Sequence, residues 1–560
     1  MRSTVIETEQ TTRKERRRSA TDRLAERVHD TTIFGRRIGD LSAELRRRRV
    51  PTHWTNLFGV VTVASLIVVT VTGFVLMFFY TPSSDPTTYA GSHAPLHGAA
   101  VSKAFASTME ITFDVPGGRL IRQAHHWAAL LLPAAMVLQL VTIFFTGAFR
   151  RPRRATWVLL VLAFLAALAS GWSGYALPDD MLSGTGLRIV EGIVLGIPVV
   201  GTWLASVLFG GPFPGRIIEN LFPLHILVFP GALILLLTLR AAAAWRHGPA
   251  HFPGAGRTER TIVGVPLVPN AAARAGGLGV IVAGLLLLIS ATVTVSPIWL
   301  YGPGDPGSAG AGSQPDWYTG FLDGALRLVP PGWEVVWLDR TWTLAILVPL
   351  AVVGLFFAAV AAYPVVEEWV TGDSREHHLL DRPRNAPART GIGVAGLVFA
   401  GVLWVAGGAD IVATTFWVSI EPVITTLQVT LVVGPLVGFT VARRVCLGLQ
   451  RKDLELLAHG FETGRVVRLP GGEYVEVHQP LDEAERARIA PPHAPIPPRL
   501  GPGALGRRTL TQRLRVRLWD FYVGGRLEGP EPDETHEASA EGAESEAAAR
   551  PLLASDSTRE

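Results

Sequence analysis

The sequence predicts an all-α integral membrane protein with about eight transmembrane helices. Of its 560 residues, 48% are hydrophobic, and the mean hydropathy is +0.31. The apolar residues are concentrated in long runs, and about 20 of them in a row span a hydrocarbon core of roughly 30 Å. Because backbone polar groups cannot stay unpaired in lipid, each run is expected to be a helix.

Eight runs are long enough, and we call them spans 1 to 8. They cover approximately residues 57–80, 124–147, 156–176, 220–243, 276–299, 343–363, 391–411 and 416–441. Arginines cluster in the loops after spans 2, 4 and 6, and such loops normally stay in the cytoplasm. We therefore expect a multi-pass protein of the cell membrane, surrounded by lipid, with both termini cytoplasmic. The net charge of +4 reflects this topology and indicates no nucleic-acid partner.

Composition divides the chain into five regions. We predict a charged cytoplasmic arm (1–50), a four-helix bundle (51–250), a second group of four spans (251–445), a cytoplasmic extension (446–525) and a disordered acidic tail (526–560). In the extension, a Pro-Gly-Gly turn between alternating stretches, within 466–477, predicts a β-hairpin. The single cysteine, Cys446, is expected just past span 8, and alone it can form neither an internal disulfide nor an all-Cys iron–sulfur site.

Two histidines are candidate ligands of a b-type heme. His125, followed by His126, opens span 2, and His225 opens span 4. These spans run in the same direction, so both imidazoles can lie at one depth and provide an axial pair. Histidine within a span is costly and usually has a partner or ligand. The alternative is that each imidazole caps a polar loop junction.

Glycines and one arginine accompany these histidines. Gly59 and Gly73 lie 14 residues apart in span 1, which is about 1400° of helical rotation and returns to nearly the same face. Gly174 ends span 3, and glycine gives a flat macrocycle room between helices. Close helix packing would explain the glycines equally well. Arg122 can reach toward a heme propionate, or it can be an arginine that extends to the membrane interface.

Several stretches, taken in order, resemble the cytochrome b subunit of actinobacterial cytochrome bc complexes. They are Arg122-Gln123-Ala124-His125-His126-Trp127, Gly174-Tyr175-Ala176-Leu177-Pro178-Asp179-Asp180, Leu224-His225-Ile226-Leu227, Gln314-Pro315-Asp316-Trp317-Tyr318, Phe252-Pro253-Gly254, Gly256-Arg257-Thr258-Glu259 and His478-Gln479-Pro480-Leu481. The resemblance covers about residues 50–482. Pro315-Asp316-Trp317-Tyr318 is similar to the family's quinol-site motif Pro-Glu-Trp-Tyr, with Asp replacing Glu.

The resemblance implies a menaquinol:cytochrome c oxidoreductase subunit. In such a subunit, His125 and His225 ligate the low-potential heme b, with Arg122 near its propionates and Gly73 and Gly174 against its faces. Asp316, as proton acceptor, and Tyr318 line the menaquinol pocket together with Pro315 and Trp317. The resemblance also implies a Rieske iron–sulfur partner, a cytochrome c partner and a homodimer, and it leaves open a terminal oxidase as a further partner.

The sequence departs from the family where a second, high-potential heme is expected. The corresponding ligand positions hold Gln139 and Arg240, and arginine has no lone pair to offer a metal. Thr142 stands where the family has a propionate arginine, Leu160 replaces a glycine, and only Gly59 remains of that site. The hypothesis is that the chain binds only the low-potential heme, which makes a full Q cycle doubtful.

Three functions therefore compete. The first is a redox subunit that oxidises menaquinol. The second is a non-catalytic membrane scaffold or assembly partner with a cytochrome b fold. The third, a secondary transporter, has little support because the sequence has no paired broken helices at mid-membrane depth.

Overall fold

A computed structural model describes residues 33–305, 307, 314–497, 510–524 and 526 of the chain. Within them, eight helices are long and apolar enough to cross a membrane, which confirms the predicted fold class. Spans 1 to 8 are Trp54–Leu76, Gly118–Thr146, Arg154–Ala176, Ile217–His247, Leu267–Thr292, Leu344–Thr371, Pro387–Gly407 and Ile420–His459. The predicted arm up to residue 32 and the predicted tail after Arg526 lie outside the described residues.

The predicted end of span 8 is wrong by 18 residues. The helix continues from residue 441 to His459, so Cys446 lies inside it and not beyond it. Hydropathy falls after residue 441, but Arg, Leu, Gln, Lys and Glu are good helix formers and extend the helix in water. It stops at Gly460, whose positive φ of 83° ends the helical backbone.

The spans pack in a defined order. Span 1 packs against span 2, span 2 against span 3, and span 3 against span 4. Span 5 covers spans 1 and 2, span 6 packs on span 3, and spans 7 and 8 form a pair. The buried apolar side chains between spans 2, 3 and 4 include Leu132, Met136, Leu160, Phe164 and Leu233. The first four spans therefore form a bundle with its core near mid-membrane depth.

Short elements fill the connections. Further helices cover Ile33–Arg47, Lys103–Phe113, Met181–Leu195, Gly201–Phe209, Ile298–Tyr301, Gly320–Arg327, Ala409–Phe416, Glu483–Ile489 and Leu510–Val523. In the described part of the chain, four antiparallel strand pairs join Arg49–Val50 with Val265–Pro266, Pro86–Thr88 with Ala100–Ser102, Glu334–Trp337 with Arg340–Thr343, and Phe461–Arg468 with Tyr474–Gln479. The last pair is the hairpin expected within 466–477, and it starts five residues earlier.

Candidate functional site

The two candidate ligands, His125 and His225, face each other across the first bundle. Their ring centres are 6.2 Å apart and the rings are inclined by 74°. Bonds of about 2 Å from one metal to imidazole nitrogens on opposite sides would separate the ring centres by roughly 6 Å. His225 lies in a wide π-helical turn, Leu224–Val228, and such turns are frequent at functional sites. The spacing therefore fits one metal between the rings.

Hydrogen bonds determine which nitrogen of each imidazole is free. Nδ1 of His225 lies 3.0 Å from the carbonyl of Ser170, which can only accept, so this nitrogen carries the proton. Nδ1 of His125 lies 3.1 Å from Oγ1 of Thr72, whose own hydroxyl donates to the carbonyl of Val68. Both rings thus keep Nε2 as the atom with a lone pair. Orientation of this kind by a second hydrogen bond is typical of histidine ligands.

The two predicted glycines lie beside the imidazoles. A Cβ on Gly73 would come within 2.9 Å of Cε1 of His125, and a Cβ on Gly174 would collide with the ring of His225. Each glycine thus gives room to one ligand ring. Arg122 is buried, and its Nη2 donates to the carbonyl of Ser296 at 3.1 Å. Its Nε has no hydrogen-bond partner within the described part of the chain.

The residues at the positions where the sequence departs from the family are partly or fully buried. Gln139 is buried, and its Nε2 donates to Oγ1 of Thr62 at 2.5 Å. Leu160 is fully buried and belongs to the same apolar cluster as Met136. Arg240 is half-buried, and among the described residues its Nε finds no hydrogen-bond acceptor. Gln139 and Arg240 therefore do not provide a pair of imidazoles of the kind formed by His125 and His225.

The predicted quinol motif lies next to the histidine pair. The hydroxyl of Tyr318 donates to Oδ2 of Asp316 at 2.8 Å, and Tyr318 is 3% exposed. Oδ1 of Asp316 lies 3.2 Å from Nε2 of His126, the residue that follows candidate ligand His125. A Cβ on Gly171 of span 3 would lie 2.6 Å from the Tyr318 hydroxyl oxygen. The structure thus brings the motif from residues 315–318 against spans 2 and 3.

Span 7 and the short helix after it, Ala409–Phe416, hold this motif in place. The indole of Trp404 donates to the carbonyl of Trp317 at 2.9 Å. Oδ1 of Asp410 accepts from the side-chain amide of Gln314 at 2.9 Å and from Arg327 at 2.7 Å. Arg327 also forms an ion pair with Asp323 at 2.9 Å. The segment around Pro315 is thus anchored on both sides of Asp316.

Sequence reasoning missed His126, Trp404 and Asp410 as parts of this site. The partners His126 and Asp316 are 190 residues apart, and no spacing rule connects them. The only sequence signal was the placement of His126 directly after His125, which on a helix turns it about 100° to the side. Trp404 and Asp410 carried no signal of their own.

The curated relatives of this chain decide its family. It is 42% identical over 513 residues to the "Cytochrome bc1 complex cytochrome b subunit" of Streptomyces coelicolor. The alignment covers 90% of this chain and 94% of the relative. It is also 42% identical over 468 residues to the subunit of the same name from Mycobacterium tuberculosis. That alignment covers 82% of this chain and 85% of the relative. This chain belongs to the cytochrome b subunits of the cytochrome bc1 complex.

Two further comparisons agree with this cytochrome b assignment. The family model described as "Cytochrome b(N-terminal)/b6/petB" matches residues 130–303. A solved structure named "Hyperthermophilic respiratory Complex III" has a TM-score of 0.54 at 17% identity, and the match covers 73% of this chain and 98% of that chain. At this identity the solved structure supports the fold alone. The chain is thus a multi-pass membrane protein of a respiratory family, and membership of that family implies heme b binding.

Proposed function

We propose that this cytochrome b oxidises menaquinol at the Asp316 motif and binds a single b heme, through His125 and His225. One electron would pass to a Rieske iron–sulfur partner and the other to this heme. A heme supplies a centre that accepts and releases one electron at a time. The observation that carries the proposal is the facing pair of imidazoles, 6.2 Å apart, each with Nδ1 engaged and Nε2 free.

In this proposal, surrounding residues hold the ligands and the heme edge. Thr72 and Ser170 orient the two imidazoles, and Gly73 and Gly174 leave room for their rings. Arg122 supports the assignment because a buried guanidinium nitrogen without an acceptor suits a propionate carboxylate. The family provides the expectation of a homodimer. The arginine-rich loops after spans 2, 4 and 6 support cytoplasmic termini.

Asp316 is proposed to take one of the two protons that menaquinol releases when it loses two electrons. Burial and the neighbouring carboxylate raise the pKa of Tyr318 well above its usual value, so Tyr318 stays protonated and acts only as a donor. Its hydroxyl and His126 hold the two oxygens of Asp316 in one orientation. Pro315 and Trp317 fix the backbone on either side, with Trp317 anchored by Trp404.

The single-heme part of the proposal rests on the packing at the second position. Leu160 fills space between spans 2, 3 and 4, and Gln139 is engaged with Thr62. Electrons would then lack the usual second heme on the way across the membrane. A complete Q cycle is therefore not part of the proposed function.

The heme content of the purified full-length chain tests this proposal. A pyridine hemochrome assay should give one b heme per chain, and His125→Gln or His225→Gln should each remove it. His97→Gln is the matched control, because His97 is exposed and its Nε2 lies 2.7 Å from the carbonyl of Gly91. Two hemes per chain would refute the single-heme proposal, and a colourless wild-type protein would refute heme binding.

The alternative function is a non-catalytic scaffold of the complex, and the filled second position favours it over a complete enzyme. The two functions differ in one measurement. If the chain is a redox subunit, adding menaquinol to the oxidised complex should reduce its b heme within the time of one catalytic turnover. If it is a scaffold, the b-heme absorbance should not respond to menaquinol.

A further inference from the structure

A short β-hairpin precedes span 6 and exposes an unusual number of apolar side chains. We call it the Trp hairpin, and it consists of strands Glu334–Trp337 and Arg340–Thr343. All residues from 331 to 340 are exposed. Val336 is 75% exposed and Leu338 70%, where a soluble protein would present polar residues.

Val335, Trp337 and Trp342 share one face of this hairpin, Val336 lies on the other face, and Leu338 is at the tip. Val335 pairs with Trp342 across the strands, and Trp337 pairs with Arg340. The rings of Trp337 and Trp342 are 5.5 Å apart, and the Trp342 indole donates to the carbonyl of Trp337. Leu338 and Asp339 both have φ of 55°, as in a two-residue type I′ turn. This turn places an exposed leucine at the outermost point.

The hairpin is fixed at the point where span 6 begins. Its last residue, Thr343, is followed directly by Leu344, the first residue of the span. The amide of Ala345 donates to the carbonyl of Trp333 at 3.1 Å. Span 6 has the highest hydropathy of the eight spans, 2.7, and only 6% of its apolar window is buried. This exposed apolar surface suits contact with lipid, which would place the hairpin base at the edge of the bilayer.

A second exposed apolar patch adjoins the same end of span 6. It includes Val199, which is 71% exposed, and Trp203, which is 68% exposed. The loop that leads into it touches span 6, since a Cβ on Gly196 would lie only 2.6 Å from Cδ1 of Ile346. The patch and the Trp hairpin thus border the same lipid-facing helix.

We propose that the Trp hairpin and the patch around Val199 and Trp203 insert into the interfacial layer of the bilayer where span 6 begins. Tryptophan prefers this layer, because its ring is amphipathic. Arg340, beside Trp337 on the same face, is suited to a lipid phosphate. The hairpin also leads directly into span 6, of whose apolar window only 6% is buried. The ligand is therefore the membrane surface and not a soluble partner.

Fluorescence quenching in lipid nanodiscs tests this proposal on the full-length chain. The native thiol is first removed by Cys446→Ser, and a single cysteine is placed by Val335→Cys and labelled with an environment-sensitive dye. Val475→Cys is the matched control, because Val335 and Val475 are both strand valines that are 45% exposed. Spin-labelled phosphatidylcholine should quench the dye at 335 at least threefold more than at 475. Aqueous iodide should show the opposite order.

Leu338→Cys at the tip provides a second labelling site, in case Val335→Cys disturbs the hairpin. The proposal is overturned if iodide reaches the dye at 335 and 338 as easily as at 475. It is also overturned if these dyes become protected only after the other subunits of the complex are added, because the hairpin would then dock onto protein. Protection from iodide without quenching by spin-labelled lipid counts against it as well.

Discussion

The indole N–H of Trp404 donates to the carbonyl oxygen of Trp317 at 2.9 Å, which ties span 7 to the proposed menaquinol motif. The bond holds the peptide between Trp317 and Tyr318, while His126 contacts the side chain of Asp316. A residue of the second group of spans thus fixes the geometry of a site built against the first bundle.

Trp404→Phe should therefore slow menaquinol oxidation without changing heme content. Loss of one hydrogen bond of about 1 kcal/mol corresponds to a roughly fivefold lower rate if the motif loses its catalytic orientation. Steady-state turnover of the assembled complex measures the effect. Trp417→Phe is the control, because Trp417 is 94% exposed and should leave turnover unchanged. Equal rates for Trp404→Phe and wild type would contradict the positioning role.

Asp316→Asn should abolish most of the menaquinol oxidation. The amide can still accept from Tyr318 but cannot take a proton, and loss of a general base typically costs about 100-fold or more in rate. The hemochrome spectrum should be unchanged, because Asp316 does not contact the proposed heme ligands. Asp339→Asn, at an exposed turn, serves as the control. Turnover within twofold of wild type would rule out Asp316 as proton acceptor.

Restoring the two missing ligands should not restore the second heme. Gln139→His with Arg240→His should still give one heme per chain, because Leu160 fills the space. Adding Leu160→Gly should raise the count to two in the hemochrome assay. Leu160→Gly alone should lower the free energy of unfolding by about 2–5 kcal/mol, as large-to-small core substitutions do. A second heme in the double variant would show that packing is not the obstacle.

Asp179 should make the folded protein less stable as the pH rises from about 4 to 6. Burial raises the pKa of Asp179 to about 6, whereas its unfolded value is about 4. The folded state thus holds the proton more tightly, and this stabilisation is present at pH 4 and lost as the pH passes 6. Asp179→Asn should flatten this dependence in thermal unfolding, by on the order of 1 kcal/mol.

Asparagine is a suitable replacement because Asp179 has a φ of 52°, a conformation that Asn also tolerates. Asp85→Asn is the control, because the pKa of Asp85 is shifted in the opposite direction. Its exposed carboxylate bonds Lys103, which lowers the pKa of Asp85. Asp85→Asn should leave the dependence between pH 4 and 6 in place. An unchanged slope in Asp179→Asn would assign the dependence to another group.

The fold class and the facing imidazoles could be predicted because hydropathy and helix direction are local properties of the sequence. His125 and His225 needed only two parallel spans to meet at one depth. The hydrogen bonds that orient them could not be predicted. Thr72 and Ser170 belong to other spans, and no sequence pattern shows that their oxygens lie within hydrogen-bond distance of the two imidazoles. The end of span 8 was missed for a related reason: hydropathy reports where lipid ends, and the helix does not end there.

Span 8 has a practical consequence for handling the protein. Its 40 residues make a rod of about 60 Å, roughly twice the hydrocarbon core. The Arg384–Asp453 ion pair, 2.9 Å long, braces the part that emerges into water. The strands from Phe461 to Gln479 are therefore carried well clear of the detergent or lipid belt. An antibody fragment or purification tag attached there would be free to bind without competing with the membrane.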